Sequence, residues 1–404
     1  MALRRTTLTL MTGVALAIGL APPAGADPID PAAAGILATA TTGEPVTVVT
    51  TTQTATGPRF STTVADSRGD ALQLISSALD APSTVGVDVS HPVSIAGTDF
   101  APASSRRSKR TNDTLRDRQW ALNRLDAERV WRKSSGKGVV VAVVDTGVQA
   151  GHPDLAGQVL KGWDFVESDR SAGDRNGHGT HVAGVIAAKA DNKRGIAGLA
   201  RSARILPVRV LNSAGSGNTV NVARGIVYAV NKGADVINLS LAGDRSDAQV
   251  EAAVQYAVSR NVVVVAAAGN RGCAGPTTFP AAYPGVIGVG AINRQGVVAG
   301  YSTCGDFVDV VAPGTAIRST MIRRPSLSLP CAYGKQYCML DGTSMASPHV
   351  AAAAAIIISR TRHRLRAAAV QDLIVTRADD IEAPGVDSSS GHGVLNIKRS
   401  LSGR

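Results

Sequence analysis

The chain has 404 residues, 44% of them hydrophobic, which is enough for one large domain with smaller pieces beside it. Its net charge is +11, but the arginines are scattered and no basic stretch carries interleaved aromatic residues, which argues against a nucleic-acid-binding protein. Only 3% of the residues are aromatic, so the core must be built from Val, Ile, Leu and Ala.

Residues 1–26 have the pattern of a secretory signal peptide. Arg4 and Arg5 form the charged region, Leu8–Leu20 the apolar region, and Ala24–Ala26 a small-residue cleavage site. The rest of the sequence contains no apolar run of the roughly 18–20 residues that a spanning helix needs. The pattern therefore predicts a secreted, extracellular protein without a membrane span.

Residues 27–110 are predicted to form a small α+β domain of their own. The predicted elements are strands at Val46–Thr52, Arg59–Val64 and Val85–Val89 and a helix at Asp70–Leu79. The region ends in the basic, polar segment Ala101–Arg110, which is a natural site for proteolysis. The alternative is a simple linker, but the strand signals and the length argue against it.

Residues 111–404 alternate short apolar runs with helical stretches. The predicted strands are Val139–Asp145, Arg204–Val210, Val236–Leu239, Val262–Ala266 and Val286–Ala291. The predicted helices are His181–Lys189, Val220–Lys232, Asp247–Ser259, Ser344–Arg360 and Arg364–Thr376. Continuous β-branched runs are typical of parallel strands buried on both faces. The pattern predicts an α/β fold with a doubly wound, mostly parallel sheet covered by helices on both faces.

The four cysteines fit an exported protein with disulfides. Cys331 and Cys338 flank a seven-residue step that contains Gly334, which suits a local hairpin clip. Cys273 and Cys304, both in loops that follow strands, would then pair by elimination. Since four cysteines allow three connectivities, this pairing is a preference and the other two stay open.

Four polar residues lie where elements begin or end. Asp145 ends the strand in VVVAVVDTGV, where open α/β sheets place their ligands. His178 stands between glycines in NGHGTHVAG, Asn270 ends VVVVAAAGN, and Ser344 lies at the helix start in LDGTSMASPHVA. Each has a structural alternative as a cap, a turn residue or a packed side chain. Together they supply an acid, a base, an amide donor and a nucleophile.

These four motifs, in this order, resemble those of the subtilisin-like serine proteases, the subtilases of peptidase family S8. The resemblance covers Asn112–Leu401 and implies a secreted bacterial enzyme of actinobacterial type. It makes Ser344 the nucleophile, His178 the general base and acid, and Asp145 the residue that orients the imidazole. The side chain of Asn270 and the backbone N–H of Ser344 would form the oxyanion hole.

The resemblance also implies where a substrate binds. The segment INLSLAG resembles the family segment that pairs with the substrate backbone as an added strand. The implied contact residues are Ser240, Leu241 and Ala242 on one side and Ala267, Ala268 and Gly269 on the other. Arg271 would lie at the mouth of the first pocket. If it points inward it would repel basic substrate side chains, and the alternative is a solvated surface arginine.

No cofactor is required for the implied chemistry, but a structural calcium ion is a candidate. Asp154 matches a family acid that often binds such an ion, and partner ligands would come from Asp191 and Asn192. Lys193 and Arg194 lie within the same loop, and their positive charge is unfavourable beside a cation unless it faces away. His181 is expected to pack or form hydrogen bonds rather than to catalyse.

By resemblance, residues 27–110 are a propeptide that assists folding and then blocks the cleft, so the protein is expected to be made as an inactive precursor. The expected partners are protein or peptide substrates and this propeptide, with no nucleic acid, and the enzyme is expected to be a monomer. Two alternatives stay open. One is a dedicated processing protease like the mycosins, which usually end in a membrane helix, and the other is an inert binding protein on a protease scaffold.

Overall fold

The computed structural model describes residues 30–40, 45–95 and 111–402. The predicted signal peptide and the basic segment Ala101–Arg110 lie outside the described residues. The described part of the chain forms an N-terminal unit, residues 30–95, and a main domain, residues 111–402. Among the helices of the described residues, none combines the length and the apolar character needed to cross a membrane.

The N-terminal unit is a small α+β sandwich. Its elements are α1 (Pro31–Ala38), β1 (Val46–Thr54), β2 (Gly57–Ala65), α2 (Arg68–Leu79), β3 (Thr84–Val89) and β4 (Pro92–Ile95). The first three strands form an antiparallel sheet in the order β2-β1-β3. Both helices cover one face of it through a core that includes Leu37, Val48 and Ile75. Helix α1 and strand β4 were absent from the sequence prediction, although Asp30 caps α1 and Pro31 occupies its first turn.

The main domain contains the remaining elements. Its strands are β5 (Val140–Asp145), β6 (Trp163–Asp164), β7 (Arg204–Arg209), β8 (Ser216–Asn218), β9 (Val236–Leu239), β10 (Leu241–Ala242), β11 (Val263–Ala267), β12 (Val286–Ile292), β13 (Val310–Pro313), β14 (Ile317–Thr320) and β15 (Tyr337–Leu340). Its helices are α3 (Trp120–Arg124), α4 (Ala127–Trp131), α5 (His178–Ala187), α6 (Thr219–Asn231), α7 (Ala248–Ser259), α8 (Thr343–Thr361), α9 (Ala367–Val375) and α10 (Ile397–Ser400).

Seven strands form the central sheet in the order β13-β12-β11-β9-β5-β7-β6, and every neighbouring pair is parallel. The chain runs from β5 to β7 on one side and returns to β9 on the other. The strand order therefore reverses at β5, which is where doubly wound sheets open a crevice for ligands. The predicted doubly wound α/β fold is confirmed.

Both faces of the sheet are buried. Alternate side chains of each strand point to opposite faces, and helices cover both faces. In β5, Val141 and Val143 join the core that contains α5 and α8. Ala142 and Val144 join the core that contains α6 and α7. A continuous apolar strand is the consequence of helices on both faces.

The N-terminal unit packs onto α6 and α7. Val49 and Phe60, from the sheet face opposite α1 and α2, belong to the same apolar core as these two helices. Polar contacts surround this core: the Arg224 guanidinium donates to the Phe60 carbonyl at 2.9 Å, and the Tyr256 hydroxyl donates to the Thr56 carbonyl at 2.9 Å. The Asp88 carboxylate accepts the Ala248 N–H at 3.0 Å, at the start of α7. The interface therefore combines an apolar centre with hydrogen bonds to a helix start.

Two disulfides link the cysteines in the pairing that the sequence favoured. Cys331 is bonded to Cys338, and Cys273 is bonded to Cys304. The first closes a loop that leads into β15. The second joins the loop after β11 to the loop after β12.

The close approach of α6 to the sheet gives a stability prediction. A Cβ atom at Gly225 would lie 2.7 Å from a methyl group of Val210 and 3.2 Å from methyl groups of Val144 and Val208. We expect Gly225→Ala to lower the free energy of unfolding by about 1–3 kcal/mol because the packed core must move.

The measurement is thermal unfolding of the full chain with Ser344 replaced by Ala, which prevents self-digestion by the implied nucleophile. Gly300→Ala is the matched control, since a Cβ there meets nothing within 4 Å. Equal melting temperatures for the two variants would contradict this account of the packing.

Candidate active site

Asp145 and His178 form a buried pair at the carboxyl edge of the sheet. Asp145 is the last residue of β5, and the two side chains are fully buried. The His178 Nδ1 lies 2.8 Å from Asp145 Oδ1 and 3.0 Å from Oδ2. The Thr146 N–H also donates to Oδ1, at 2.7 Å. This geometry holds the imidazole so that its Nε2 is the ring atom left for a reaction partner.

Helix α5 begins at His178, so the predicted start at His181 was three residues too late. The loop before it is organised by Asp174, which sequence reasoning missed. One of its oxygens accepts the N–H groups of Asn176 and Gly177, and the other accepts the N–H and hydroxyl of Thr180. These bonds shape the turn that ends at the N-cap, Gly177, so that α5 begins at His178. The Asp-x-x-Gly spacing before a histidine was the available signal.

Burial raises the pKa of the Asp174 carboxyl, and the bonds from Thr180, Gly177 and Asn176 act in the opposite direction. The Asn176 side chain adds another bond by accepting the His178 N–H at 3.1 Å. A dense set of local hydrogen bonds therefore fixes the backbone that carries the histidine.

Ser344 is the second residue of α8, a 19-residue helix that begins at Thr343. Gly342 precedes it with φ of 145°, a conformation that side-chain-bearing residues rarely adopt. The first backbone N–H groups of a helix have no partner within the helix, and the dipole favours negative charge there. The position suits a serine whose reaction creates an oxyanion.

Pro348 explains an unusual bond at this serine. Proline has no N–H, so it cannot donate to the carbonyl four residues earlier, which is that of Ser344. The Ser240 hydroxyl donates to that carbonyl instead, at 2.9 Å. Asn238 continues the network by donating to the Ser240 hydroxyl and accepting from Ser347. The strand β9 is thus tied to the first turns of α8.

The Ser344 hydroxyl donates to the Ser240 carbonyl at 2.9 Å. Among the described residues, His178 Nε2 has no hydrogen-bond partner. The serine proton is therefore not directed at the histidine in this conformation. Apo serine–histidine contacts are often loose before a substrate binds.

Asn270 is oriented by Thr343. The amide oxygen of Asn270 accepts both the N–H and the hydroxyl of Thr343, each at 2.9 Å. The Thr343 hydroxyl also accepts the Gly269 N–H at 3.1 Å. Because the amide oxygen accepts bonds from the start of α8, the NH₂ group of Asn270 points away from Thr343. Thr343 was not singled out in the sequence analysis, so this role was missed.

The residues implied in substrate binding flank the same edge. Leu241 and Ala242 form β10, which pairs antiparallel with Ser94 and Ile95 of β4. Strand β4 also pairs with β8, so a piece of the N-terminal unit is the middle strand of a three-stranded sheet. An exposed edge that accepts an added strand is the arrangement that peptide recognition by β-addition uses.

On the other side, Ala267 ends β11, and Ala268 is fully buried beside it. Gly269 has φ of +96°, and a Cβ there would lie 2.9 Å from the Thr278 methyl group. The wall that these three residues form therefore has no room for a larger side chain at its last position.

Arg271 lies at the surface and pairs with an acid. Its side chain is 60% exposed, and its guanidinium lies 2.5 Å from the carboxylate of Asp244. The orientation corresponds to the surface alternative of the sequence analysis rather than to an unpaired charge inside a pocket.

The loop suggested for calcium is held by protein hydrogen bonds. Asp154 is fully buried, and its oxygens accept the Asn192 side-chain amide at 2.8 Å and the Ile196 N–H at 2.9 Å. The Asp191 carboxylate pairs with Arg201 at 2.8 Å. As arranged, these side chains do not fit a cation, because the ion would have to displace the amide and the guanidinium. Calcium binding at Asp154, Asp191 and Asn192 stays a prediction.

His181 is buried behind the site. Its Nε2 lies 3.3 Å from the Cys338 carbonyl. Burial lowers the pKa of His181 to about 3. The ring is therefore neutral near pH 7 and packs against the loop before β15, as its expected structural role requires.

Comparison with known proteins agrees with this geometry. The sequence model of the subtilase family matches residues 136–393, which is more than half of the chain. The chain belongs to the subtilase family. It is 43% identical over 274 residues to thermitase of Thermoactinomyces vulgaris, covering 68% of this chain and 93% of thermitase. It is 43% identical over 239 residues to subtilisin Savinase of Lederbergia lenta, covering 59% of this chain and 83% of that protein.

Among solved structures, fervidolysin from Fervidobacterium pennivorans, described as a keratinolytic enzyme related to subtilisin, superposes with a TM-score of 0.78 at 27% identity. The match covers 90% of this subtilase and 62% of the length of fervidolysin. The resemblance to subtilisin-like proteases in the sequence is thereby confirmed, and the protein is a subtilisin-like serine endopeptidase. An actinobacterial type stays a prediction.

The contact between Thr343 and Asn270 gives a kinetic prediction. We expect Asn270→Ala to lower kcat about a hundredfold or more, in line with the about 2.7–4 kcal/mol known for an oxyanion-hole donor, a range for which subtilisin's own asparagine is the reference case. Thr343→Val removes one of the two bonds that orient this amide, and we expect it to lower kcat by roughly tenfold to a hundredfold.

Thr343→Ser keeps the hydroxyl and should retain most of the activity. The measurement is kcat and KM on a peptide substrate, with KM expected to change little in all three variants. A Thr343→Val enzyme as fast as the wild type, or a Thr343→Ser enzyme as slow as Thr343→Val, would contradict the orienting role.

Proposed function

We propose that this subtilase cleaves peptide bonds through an acyl-enzyme on Ser344. His178 takes the serine proton as the hydroxyl attacks the carbonyl carbon, and it later gives that proton to the leaving amine. Asp145 holds the imidazole tautomer and stabilises the imidazolium. The Asn270 amide and the Ser344 N–H stabilise the oxyanion. The buried Asp145–His178 pair, with Nδ1 2.8 Å from Oδ1, is the observation that supports this assignment best.

We further propose that the enzyme is exported as an inactive precursor, with residues 1–26 as signal peptide, 27–110 as propeptide and 111–404 as peptidase domain. The supporting observation is the pairing of β4 with β10, because Ser94 and Ile95 use the strand edge that a substrate backbone would use. The Ile95 N–H also donates to the Gly215 carbonyl at 3.0 Å on the opposite side. A segment bonded on both sides blocks the edge from other peptides.

The alternative of an inert binding protein predicts that Ser344 is unreactive, and labelling separates the two. After removal of residues 27–110, we expect a fluorophosphonate probe to label the wild-type enzyme once per chain, at Ser344. Labelling should be lost in Ser344→Ala and strongly reduced in His178→Ala, because the serine then lacks its base. Peptide mapping by mass spectrometry gives the position. An unlabelled wild type would contradict the proposed chemistry.

The proposed inhibition is tested within the full chain. Ile95→Pro removes the N–H that donates to Gly215, so the blocking strand should leave more readily. We expect the purified precursor to gain peptidase activity several times faster than the wild type, with Ile95→Val as the control that keeps the N–H. Unchanged activation by Ile95→Pro would argue against β4 as the inhibitory element. Maturation of the Ser344→Ala precursor in its host would show that another protease makes the cut, as a mycosin-like cascade would require.

Arg271 is proposed to affect specificity little, because Asp244 compensates its charge outside the cleft. We expect Arg271→Gln to cleave after Lys and Arg as often as the wild type in a whole-proteome digest. Asp244→Asn, which frees the guanidinium, should reduce cleavage after basic residues. A marked gain of such cleavage in Arg271→Gln would instead place the charge in the pocket.

A further inference from the structure

A cavity of about 170 Å³ lies between the N-terminal unit and the main domain. His91 and Pro92 line it from the N-terminal unit, and Asp247 and Tyr283 line it from the main domain. It is separate from the catalytic residues, none of which line it. Side chains of the N-terminal unit and of the main domain therefore meet in this cavity.

Two of these lining side chains, those of His91 and Asp247, carry ligand atoms, and Asp88 beside them carries a third. Asp88 is the next-to-last residue of β3, His91 lies two residues beyond the end of that strand, and Asp247 is the N-cap of α7. One ligand atom from each residue lies within 4.8 Å of the other two. Donors around a tetrahedral ion with bonds of about 2.0 Å are roughly 3.3 Å apart, so small side-chain shifts would close the set around one ion.

Two of the three side chains are buried and carry a polar atom without a partner. His91 is 4% exposed and Asp247 is 1% exposed. Among the described residues, His91 Nδ1 and Asp247 Oδ2 accept or donate no hydrogen bond. Leaving such atoms unsatisfied costs about 1–3 kcal/mol each. An ion bound by His91 Nδ1 and Asp247 Oδ2 would satisfy both atoms at once.

Backbone N–H groups hold both carboxylates in place. Asp247 Oδ1 accepts the N–H groups of Gln249 and Val250, each at 3.0 Å. Asp88 Oδ2 accepts the N–H of Ala248 and Oδ1 that of Val89. Helix α7 and strand β3 therefore orient the carboxylates from behind, as hydrogen-bonded supports orient metal ligands. Arg245 also lines the cavity, and its guanidinium donates to the Thr39 carbonyl.

We propose that Asp88, His91 and Asp247 bind one divalent cation of the zinc class and thereby link the N-terminal unit to the main domain. An imidazole with two carboxylates is a zinc ligand set, with water completing the coordination, whereas calcium prefers six to eight oxygens. Because the ligands come from both parts of the chain, the ion binds tightly only when they are docked. It then favours the docked state by mass action, and under the proposed function it would delay release of the propeptide.

The test measures zinc binding directly, so it does not depend on activity or on inhibition. The full chain with Ser344→Ala is treated with a chelator, and ZnCl₂ is titrated by calorimetry and by equilibrium dialysis. We expect about one zinc per chain and a higher melting temperature with zinc present. His91→Gln should weaken zinc binding at least tenfold, and so should Asp247→Asn, which keeps a side chain able to cap α7.

His363→Gln is the matched control, because His363 is 47% exposed and pairs with Asp235 away from the cavity. Co²⁺ substitution adds a spectroscopic signature: tetrahedral visible bands in the parent that disappear in His91→Gln. Zinc binding that is equal in the parent and in His91→Gln, or absent in the parent, overturns the proposal. If Asp247→Asn fails to fold by circular dichroism, His91→Gln and Asp88→Asn decide the outcome. Intact zinc binding together with unchanged activation of the Ile95→Pro precursor would refute the propeptide role and leave the metal site standing.

Discussion

Parallel pairing in the central sheet puts the carboxyl ends of β5, β9 and β11 at one edge, and the chemistry depends on this constraint. Asp145 ends β5, Ser240 follows β9, and Asn270 follows β11 at short distance along the chain. Helix α8 packs against the same strands and directs its first turn to the same edge. Residues far apart in sequence therefore meet at this edge.

The burial of α8 explains its composition. Its middle is a run of alanines that are fully buried, which lets the helix lie close to the sheet. Close packing is also what makes Pro348 tolerable. The carbonyl that proline leaves without an N–H faces β9, where the Ser240 hydroxyl donates to it. A buried unpaired carbonyl would be costly, so Ser240 stabilises the helix start and fixes Ser344 at the same time.

The large elements and the four candidate catalytic residues could be predicted from the sequence because each depends on a local pattern. Apolar runs identify strands buried on two faces, and Asp145 and Asn270 follow such runs, whereas His178 and Ser344 lie at helix starts. Asp174 and Thr343 were not predicted, because they act through hydrogen bonds whose partners depend on the path of a loop. Strand β4 was not predicted for a different reason. It is four residues long and begins with proline, and its partners β8 and β10 lie more than a hundred residues away.

Strand β4 occupies the edge of β10 that a substrate backbone would use under the proposed function. As long as β4 is bonded to it, no substrate backbone can use that edge, whether or not the chain between the two parts has been cut. Cutting alone therefore cannot complete activation. The N-terminal unit must also leave α6 and α7, where Val49 and Phe60 share a core with both helices. The stability of that interface, rather than the cut, would then set the rate at which activity appears. Any ion held between Asp88, His91 and Asp247 would act on this second step, because its ligands separate only when the two parts of the chain do.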